Sequence, residues 1–183
     1  MSTPVATLPW TADDYLAWEH EQSERHEWDG SSVVAVTGAR VRHARVVGNV
    51  FSLLRAQLPS GCEAFSEALK LRAGCAIRYP DVLIVCAPDL DPEAEVVDDA
   101  VFLVEVLSPS TARIDRGAKL TEYAHVPSLE GYLIVDPARR HLELYRREGG
   151  QLVPVATADV GGETIAPFGT VVLPMDDIYE GVL

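Results

Sequence analysis

The chain has 183 residues, enough for a hydrophobic core, and 48% of them are apolar, as is ordinary for a globular protein. No apolar run approaches the ~20 residues that cross a bilayer, and residues 1–14 lack the basic start and apolar centre of a secretory signal. We therefore expect one cytoplasmic domain over residues 1–183 and no membrane association. The net charge of −13 argues against a general nucleic-acid coat protein, because such affinity comes from Lys and Arg.

The charge is unevenly distributed along the chain. Residues 37–62 hold Arg40, Arg42, Arg45 and Arg55 and no acid, whereas residues 89–99 hold six acids and no base. The arginines form either a local basic face or an ordinary solvated helix face, and the pattern does not separate these interpretations. Three cysteines, Cys62, Cys75 and Cys86, lack a C-x-x-C spacing, so we predict buried reduced thiols and no structural zinc site.

The first half of the chain predicts two helices and short strands. A helix is predicted over residues 8–22 with Thr11 as its N-cap, followed by a strand or turn at 24–30 and a β-branched strand at 32–37. A second helix spans 42–58 and ends before Pro59 and Gly61. One or two strands follow in 63–72, and a strand spans 78–86 with Pro80 near its start.

The second half predicts the centre of the sheet. An acidic surface loop at 88–99 leads into a buried strand at 101–107, and a turn at 108–111 caps a helix over about 112–125. Strands are predicted at 131–136 and 141–147, with weaker ones near 152–156 and 170–173. The fold class is therefore α/β, with a central mixed sheet flanked by helices.

A carboxylate lies inside the most apolar strand. Glu105 interrupts the run 101–107, which reads as apolar on both faces. An isolated carboxylate there costs several kcal/mol unless it is protonated, paired or bound to a metal. Glu105 is therefore either a functional group or half of a buried salt bridge, to Arg78 or Lys119.

A second carboxylate points to a metal. If the strand that Asp81 opens neighbours the Glu105 strand, their backbones are ~5 Å apart. Two carboxylates that close both ionise only around a cation, and oxygen ligands suit Mg²⁺ or Mn²⁺. A turn-capping role is the alternative for Asp81.

The helix after Glu105 supplies a candidate cation. Asp115, Lys119 and Tyr123 follow one another at four-residue spacing and share a face. The chain has only two lysines, Lys70 and Lys119, and a lysine aimed at the carboxylates could stabilise developing charge. An ordinary surface ion pair of Asp115 with Lys119 is the alternative. The five histidines show no metal-ligand spacing, and His43 is notable for its place at the start of the arginine-bearing helix.

Several strings in order carry a family resemblance. They are residues 78–82, 104–111, Asp115-x₃-Lys119-x₃-Tyr123 and 131–136, with 26–30 and 43–49 upstream. The chain resembles the Uma-two family of uncharacterised bacterial proteins in the PD-(D/E)XK nuclease superfamily, over about residues 10–147. The resemblance implies a restriction-endonuclease-like fold in which Asp81 and Glu105 carry a divalent metal and Glu27 supplements the site.

One position departs from the superfamily pattern. The pattern is Glu-x-Lys on one strand, but position 107 is Leu. The lysine has either moved or been lost, with Lys119 the first candidate to replace it and Lys70 the second.

Three functions remain open. The first is a Mg²⁺- or Mn²⁺-dependent endonuclease acting on DNA, with Asp81, Glu105, Lys119 and Glu27 in the site. Arg40, Arg42, His43, Arg45 and Tyr123 would contact the substrate, and a homodimer would provide one site per strand. The others are a non-catalytic binding or assembly module, favoured by Leu107 and the acidic charge, and a hydrolase of small phosphoesters. A Lys119 ammonium in contact with Glu105 would favour the enzyme.

Overall fold

A computed structural model describes residues 10–36, 38–87, 89–108 and 112–183. Within these ranges the chain forms two large sheets, a small one and five helices. The helices are α1 (Ala12–Glu19), α2 (Val41–Arg55), α3 (Ala112–Asp115), α4 (Ala118–Tyr123) and α5 (Met175–Ile178). The strands are β1 (His26–Trp28), β2 (Val33–Ala35), β3 (Glu63–Ser66), β4 (Lys70–Ala73), β5 (Ala76–Arg78), β6 (Val82–Val85), β7 (Val96–Val97), β8 (Ala100–Val106), β9 (Gly131–Val135), β10 (Leu142–Glu148), β11 (Gln151–Ala158), β12 (Thr164–Ile165) and β13 (Leu173–Pro174).

The six-stranded sheet has the order β11-β10-β9-β8-β6-β3 and is mixed. Strand β8 runs parallel to β9 and antiparallel to β6, and the other pairs are antiparallel. The chain returns from β8 to β9 through α3 and α4, because parallel strands need a crossover. The α/β fold class and the central mixed sheet predicted from the sequence are confirmed.

Side chains alternate along β8, so successive residues point into two different hydrophobic cores. Phe102, Val104 and Val106 pack with α2 and the C-terminal segment on one face. Leu103 and Leu107 pack with Tyr123 of α4 and with strand β4 on the other. Glu105 has the parity of Leu103 and Leu107, so it faces α4 and the second sheet.

The second sheet has five strands in the order β2-β1-β5-β4-β7. The strand predicted over 78–86 is divided between the two sheets, as β5 and β6, because Pro80 has no N–H for a ladder bond. The Tyr79 N–H donates instead to the Glu27 carboxylate at 3.1 Å. Asp81 therefore lies at the crossing between the sheets.

Two predicted helices differ from the observed ones in their extent. Helix α1 spans Ala12–Glu19, whereas the prediction was 8–22. Helix α1 has its predicted N-cap, with Thr11 and Asp14 forming a capping box. The helix predicted over 112–125 is two short helices separated by Arg116 and Gly117, because Gly117 has φ −132° and ψ −89°, outside the helical region. Of the predicted turn at 108–111, only Ser108 lies within the described residues.

The prediction of buried reduced thiols is wrong. Cys62 and Cys86 form a disulfide, and Cys75 is free and exposed. The pairing of Glu63 with Val85 in β3 and β6 brings Cys62 and Cys86 opposite each other at the strand ends. Sequence spacing could not show this, because the bond spans 24 residues.

The remaining observations concern two short strands and the membrane prediction. The acidic segment 88–99, predicted as a loop, contains the short strand β7, and the strand predicted near 170–173 is β13, paired with β12. Among the described residues, no helix is long and apolar enough to span a membrane. The single domain and the cytoplasmic location stay predictions.

Candidate active site

Glu105 is buried where β8, α4 and the five-stranded sheet meet. Its side chain is 5% exposed, and its Oε1 lies 2.8 Å from Lys119 Nζ. The Tyr123 hydroxyl donates to the same oxygen at 2.6 Å. The predicted shared face of Lys119 and Tyr123 is thus directed at Glu105, and the salt-bridge partner is Lys119.

Asp115 is part of the same buried group. One of its carboxylate oxygens lies 3.3 Å from Lys119 Nζ, and its side chain is fully buried. Lys119 is itself 4% exposed, so the interpretation as a surface ion pair is wrong. The break at Gly117 leaves these two side chains together despite the interrupted helix.

Glu27 enters the site from β1 with a second cation beside it. Its carboxylate lies 3.1 Å from Arg78 Nη1 and 3.7 Å from Lys119 Nζ. Arg78 also donates from Nε and Nη2 to the two oxygens of Glu122, each at 2.7 Å. Arg78 therefore ties β1, β5 and α4 together around the site.

The group holds more carboxylates than permanent cations. Glu27, Glu105, Asp115 and Glu122 surround Lys119 and Arg78. Burial raises the pKa of Glu105 well above its ordinary value, and neighbouring acids add to this while Lys119 opposes it. Burial also acts to raise the pKa of Glu27, but the charges of Lys119 and Arg78 bring this pKa below its ordinary value.

The cations and the tyrosine keep their protons. Burial by itself would lower the pKa of Lys119, but the charges of Glu105, Glu27 and Asp115 raise it well above its ordinary value. Burial and then the Glu105 charge raise the pKa of Tyr123. Its hydroxyl thus remains a donor to Glu105 near neutral pH.

Asp81 adjoins Glu105 as the sequence predicted. Val82 pairs with Val104, and the next pair in that register is Asp81 with Glu105. Asp81 Oδ2 accepts a hydrogen bond from the Val106 N–H at 2.6 Å. The same oxygen lies 3.3 Å from His43 Nε2.

His43 and Glu67 form a second group with Asp81. One potential ligand atom from each residue lies within 4.8 Å of the others. Burial acts to lower the pKa of His43, but Asp81, the Val106 backbone and Glu67 together raise it. The histidines thus include a ligand candidate that their spacing did not reveal, because the partners come from distant elements.

Lys70 lies apart from the carboxylates of the site, and Leu107 packs in the core. Lys70 Nζ lies 2.8 Å from Glu19 and 3.3 Å from Glu95, so its ammonium is directed at these acids rather than at Glu105. Leu107 is 5% exposed and packs in the same core as Tyr123. Of the two lysines, Lys119 of α4 is the one in contact with Glu105.

The arginines predicted to contact substrate lie around the start of α2. Arg40, Arg42 and Arg45 are exposed, and within the described ranges they form no ion pair. Arg45 donates to the Gly181 carbonyl at 2.6 Å. Arg40 and Arg42 come just before His43 in the chain, and His43 Nε2 lies 3.3 Å from Asp81 Oδ2.

Sequence reasoning named Arg78 only as a possible partner of Glu105, and it missed Glu122 and Glu67. Arg78 and Glu122 bind each other across elements, and Glu67 approaches Asp81 from the end of β3, its N–H donating to the Asp81 carbonyl at 3.1 Å. The only local signal was a charged residue, Arg78, at the end of an otherwise apolar strand.

Comparisons with known proteins agree with this architecture. The crystal structure of a "putative nuclease belonging to DUF820" from Anabaena variabilis superposes with a TM-score of 0.80 at 16% identity, over 96% of this chain and 100% of that one. This likeness concerns the fold, and it supports the mixed α/β architecture with its central six-stranded sheet.

The family follows from the sequence matches. The family model Uma2, described as "Putative restriction endonuclease", matches residues 12–174, and the chain belongs to this family. Two relatives from Synechocystis sp. are called "Uncharacterized protein slr1290" and "Uncharacterized protein sll1609". The first is 33% identical, covering 79% of this chain and 78% of the relative, and the second is 28% identical, covering 81% and 87%.

Proposed function

We propose that this protein is a divalent-metal-dependent endonuclease that hydrolyses phosphodiester bonds of DNA. The observation that carries the proposal is the 2.8 Å contact between Lys119 and Glu105. It gives the site the carboxylate and ammonium of the superfamily pattern although Leu stands at position 107. Membership of a family described as restriction endonucleases supports the same activity.

The donor set fits a Mg²⁺ or Mn²⁺ ion held by Asp81 and Glu105. Lys119 and Tyr123 both contact Oε1 of Glu105, and Oε2 receives no hydrogen bond from the described part of the chain. The excess of buried carboxylates over permanent cations calls for further positive charge. A divalent ion, when bound, lowers the pKa of water and neutralises charge at phosphorus.

The protein's own groups orient the reaction. Lys119 holds Glu105 in place and offers positive charge to the phosphate as negative charge develops on it. Tyr123 fixes the same carboxylate from the other side, and Glu27 adds a third carboxylate beside Lys119. Because these groups are held before substrate binds, little reorganisation is needed.

The DNA backbone would run past the start of α2. Arg40 and Arg42 are exposed just before His43 in the chain, and His43 lies 3.3 Å from Asp81, so these arginines are the candidates to neutralise phosphates of the bound DNA. Cleavage of both strands needs one site per strand, so the acting species is a homodimer.

The test is cleavage of supercoiled plasmid and of a labelled duplex with Mg²⁺ or Mn²⁺. Wild type should nick or linearise the plasmid, and E105Q and K119M should lose at least ~100-fold in rate. E130Q, which changes an exposed glutamate outside the site, is the matched control. A wild type that binds DNA but never cleaves it would establish a binding module instead, and cleavage of a small nitrophenyl phosphodiester alone would indicate a small-phosphoester hydrolase.

A further inference from the structure

We infer that His43 and Glu67 bind the same divalent ion as Asp81, giving the site a mixed nitrogen and oxygen ligand set that selects Mn²⁺ and similar transition metals over Mg²⁺. This inference rests on the proposed function and specifies its metal. His43 comes from α2, Glu67 from the end of β3 and Asp81 from the crossing between the sheets.

The three side chains converge at ligand spacing. One donor atom from each lies within 4.8 Å of the other two, and His43 Nε2 is 3.3 Å from Asp81 Oδ2. First-row metals bind imidazole nitrogen and carboxylate oxygen at about 2.0–2.2 Å. Donor atoms around such an ion are therefore separated by less than about 4.5 Å, so only small side-chain adjustments are required.

The backbone holds Glu67 beside Asp81. The Glu67 N–H donates to the Asp81 carbonyl at 3.1 Å, and its own carbonyl accepts from the Arg25 guanidinium. Glu67 has φ 51°, a conformation that non-glycine residues seldom adopt. The backbone after β3 is thus fixed beside Asp81, at a point from which the Glu67 carboxylate reaches the His43–Asp81 pair.

His43 offers a ring nitrogen to the ion. Its Nε2 faces Asp81 Oδ2 at 3.3 Å, so this is the nitrogen that would bind an ion shared with Asp81. Imidazole nitrogen binds Mn²⁺ and later first-row metals, whereas Mg²⁺ prefers oxygen ligands and retains several waters. A histidine in the ligand set therefore discriminates between the two ions.

This group lies at the open side of the site. Glu67 is exposed, and the side chains of His43 and Asp81 are 12% and 14% exposed, whereas that of Glu105 is 5% exposed. An ion and a phosphate can approach Asp81 from the His43 side. The ion would thus be exchangeable, with Glu105 and Lys119 behind it.

The experiment measures metal binding directly and needs no substrate. Mn²⁺ and Mg²⁺ are titrated calorimetrically into wild type, H43Q, E67Q and E105Q, and the Mn²⁺ complexes are examined by pulsed electron paramagnetic resonance for nitrogen coupling. We expect nitrogen coupling in wild type and at least ~10-fold tighter binding of Mn²⁺ than of Mg²⁺. H43Q should lose the coupling and most of the preference, and E67Q should weaken both ions by roughly 10-fold.

Controls and contrary outcomes separate the two proposals. H125Q and E63Q change an exposed histidine and an exposed glutamate outside the group and should bind both ions as wild type does. Binding that is lost in E105Q but shows no nitrogen coupling and is unchanged in H43Q overturns this inference and leaves the proposed function standing. Absence of saturable metal binding in wild type overturns both this inference and the proposed function. The wild-type spectrum tests for a nitrogen ligand even if a variant fails to fold.

Discussion

Lys119 and Tyr123 both donate hydrogen bonds to one oxygen of Glu105, so the position of that carboxylate depends on both donors. The alternatives weighed for Glu105 were a functional group and a buried salt bridge. The structure confirms the salt bridge, because Lys119 Nζ lies 2.8 Å from Glu105. Under the proposed function the same lysine also serves as the ammonium of the superfamily pattern, so the two alternatives coincide.

Removing the Tyr123 hydroxyl should lower both the stability of the protein and its rate of DNA nicking. In Y123F the ring keeps its packing, but Glu105 loses a donor at 2.6 Å. We expect the free energy of unfolding to fall by about 1–3 kcal/mol, because a buried acceptor loses a partner. The rate of plasmid nicking should also fall, with little change in DNA affinity, as measured by urea unfolding and single-turnover kinetics.

The control is Y145F. Tyr145 donates to Glu143 at 2.9 Å in a part-buried position outside the site. Its loss should cost less stability and no nicking activity. Equal activity in Y123F and wild type would show that the hydroxyl does not orient Glu105.

Strand β5 and helix α4 are joined through Arg78. The guanidinium makes two 2.7 Å hydrogen bonds to Glu122 and one of 3.1 Å to Glu27. Only a planar guanidinium can make the bidentate pair, and an ammonium keeps the charge without that geometry. The helix that carries Lys119 is therefore anchored at the residue before Tyr123.

Arg78→Lys should loosen α4 while preserving charge. We expect a loss of about 1–3 kcal/mol in unfolding free energy and a lower nicking rate, measured by urea denaturation and plasmid assay. R72K is the comparison, because Arg72 pairs with Asp13 and Asp98 near the surface and such pairs contribute little. If both variants behave alike, Arg78 does not position α4.

Helix α1 is attached to the second sheet by a buried ion pair that should respond to acid. Glu19 lies 2.8 Å from Lys70 and accepts from the Tyr79 hydroxyl at 2.9 Å. Burial alone would raise the pKa of Glu19, but Lys70 and Tyr79 bring it below the ordinary value of 4.5. The stabilising contribution is thus complete above pH 4.5 and is lost as the pH falls through the folded-state pKa.

E19Q should accordingly be less stable than wild type at pH 6, and the difference should shrink as the pH falls below 4.5. Thermal melts between pH 3 and pH 6 provide the measurement. E21Q, which alters an exposed glutamate just after α1, should follow the wild-type curve. A constant difference between E19Q and wild type across this range would contradict the linkage.

The net negative charge of the whole protein opposes the binding of a polyanion, so any affinity for DNA must come from a basic region of the surface. Exposed arginines lie at the start of α2, the helix whose His43 is 3.3 Å from Asp81. A net charge of −13 repels DNA elsewhere on the surface. We therefore expect weak binding with a small footprint.

R42A should weaken DNA binding and reduce the slope of log affinity against log salt by about 1, because one phosphate contact is lost. R55A is the matched control, since Arg55 is at the other end of α2, about 20 Å further along the axis. Fluorescence anisotropy at several salt concentrations measures both. Equal effects of the two variants would exclude a phosphate path at the start of α2.

The tertiary structure also revealed features with no counterpart in sequence spacing. Cys62 and Cys86 bond because β3 and β6 pair, and His43 joins Glu67 and Asp81 because α2 packs beside the sheet crossing. The predicted helix over 112–125 breaks at Gly117, a residue of low helix propensity. The disulfide and the His43 group depend on contacts between segments far apart in the chain, whereas the helix break is local.

Local patterns of hydrophobicity, turn residues and spacing were enough to predict the α/β class, the buried β8 strand with Glu105 in it, the Thr11 cap and the family strings. Three contacts could be seen only in the folded chain: Lys119 rather than Lys70 meets Glu105, Glu27 pairs with Arg78, and Cys62 forms a disulfide with Cys86. The charge of a side chain can be read from the sequence, but its partner is selected by the packing that brings distant strands and helices together.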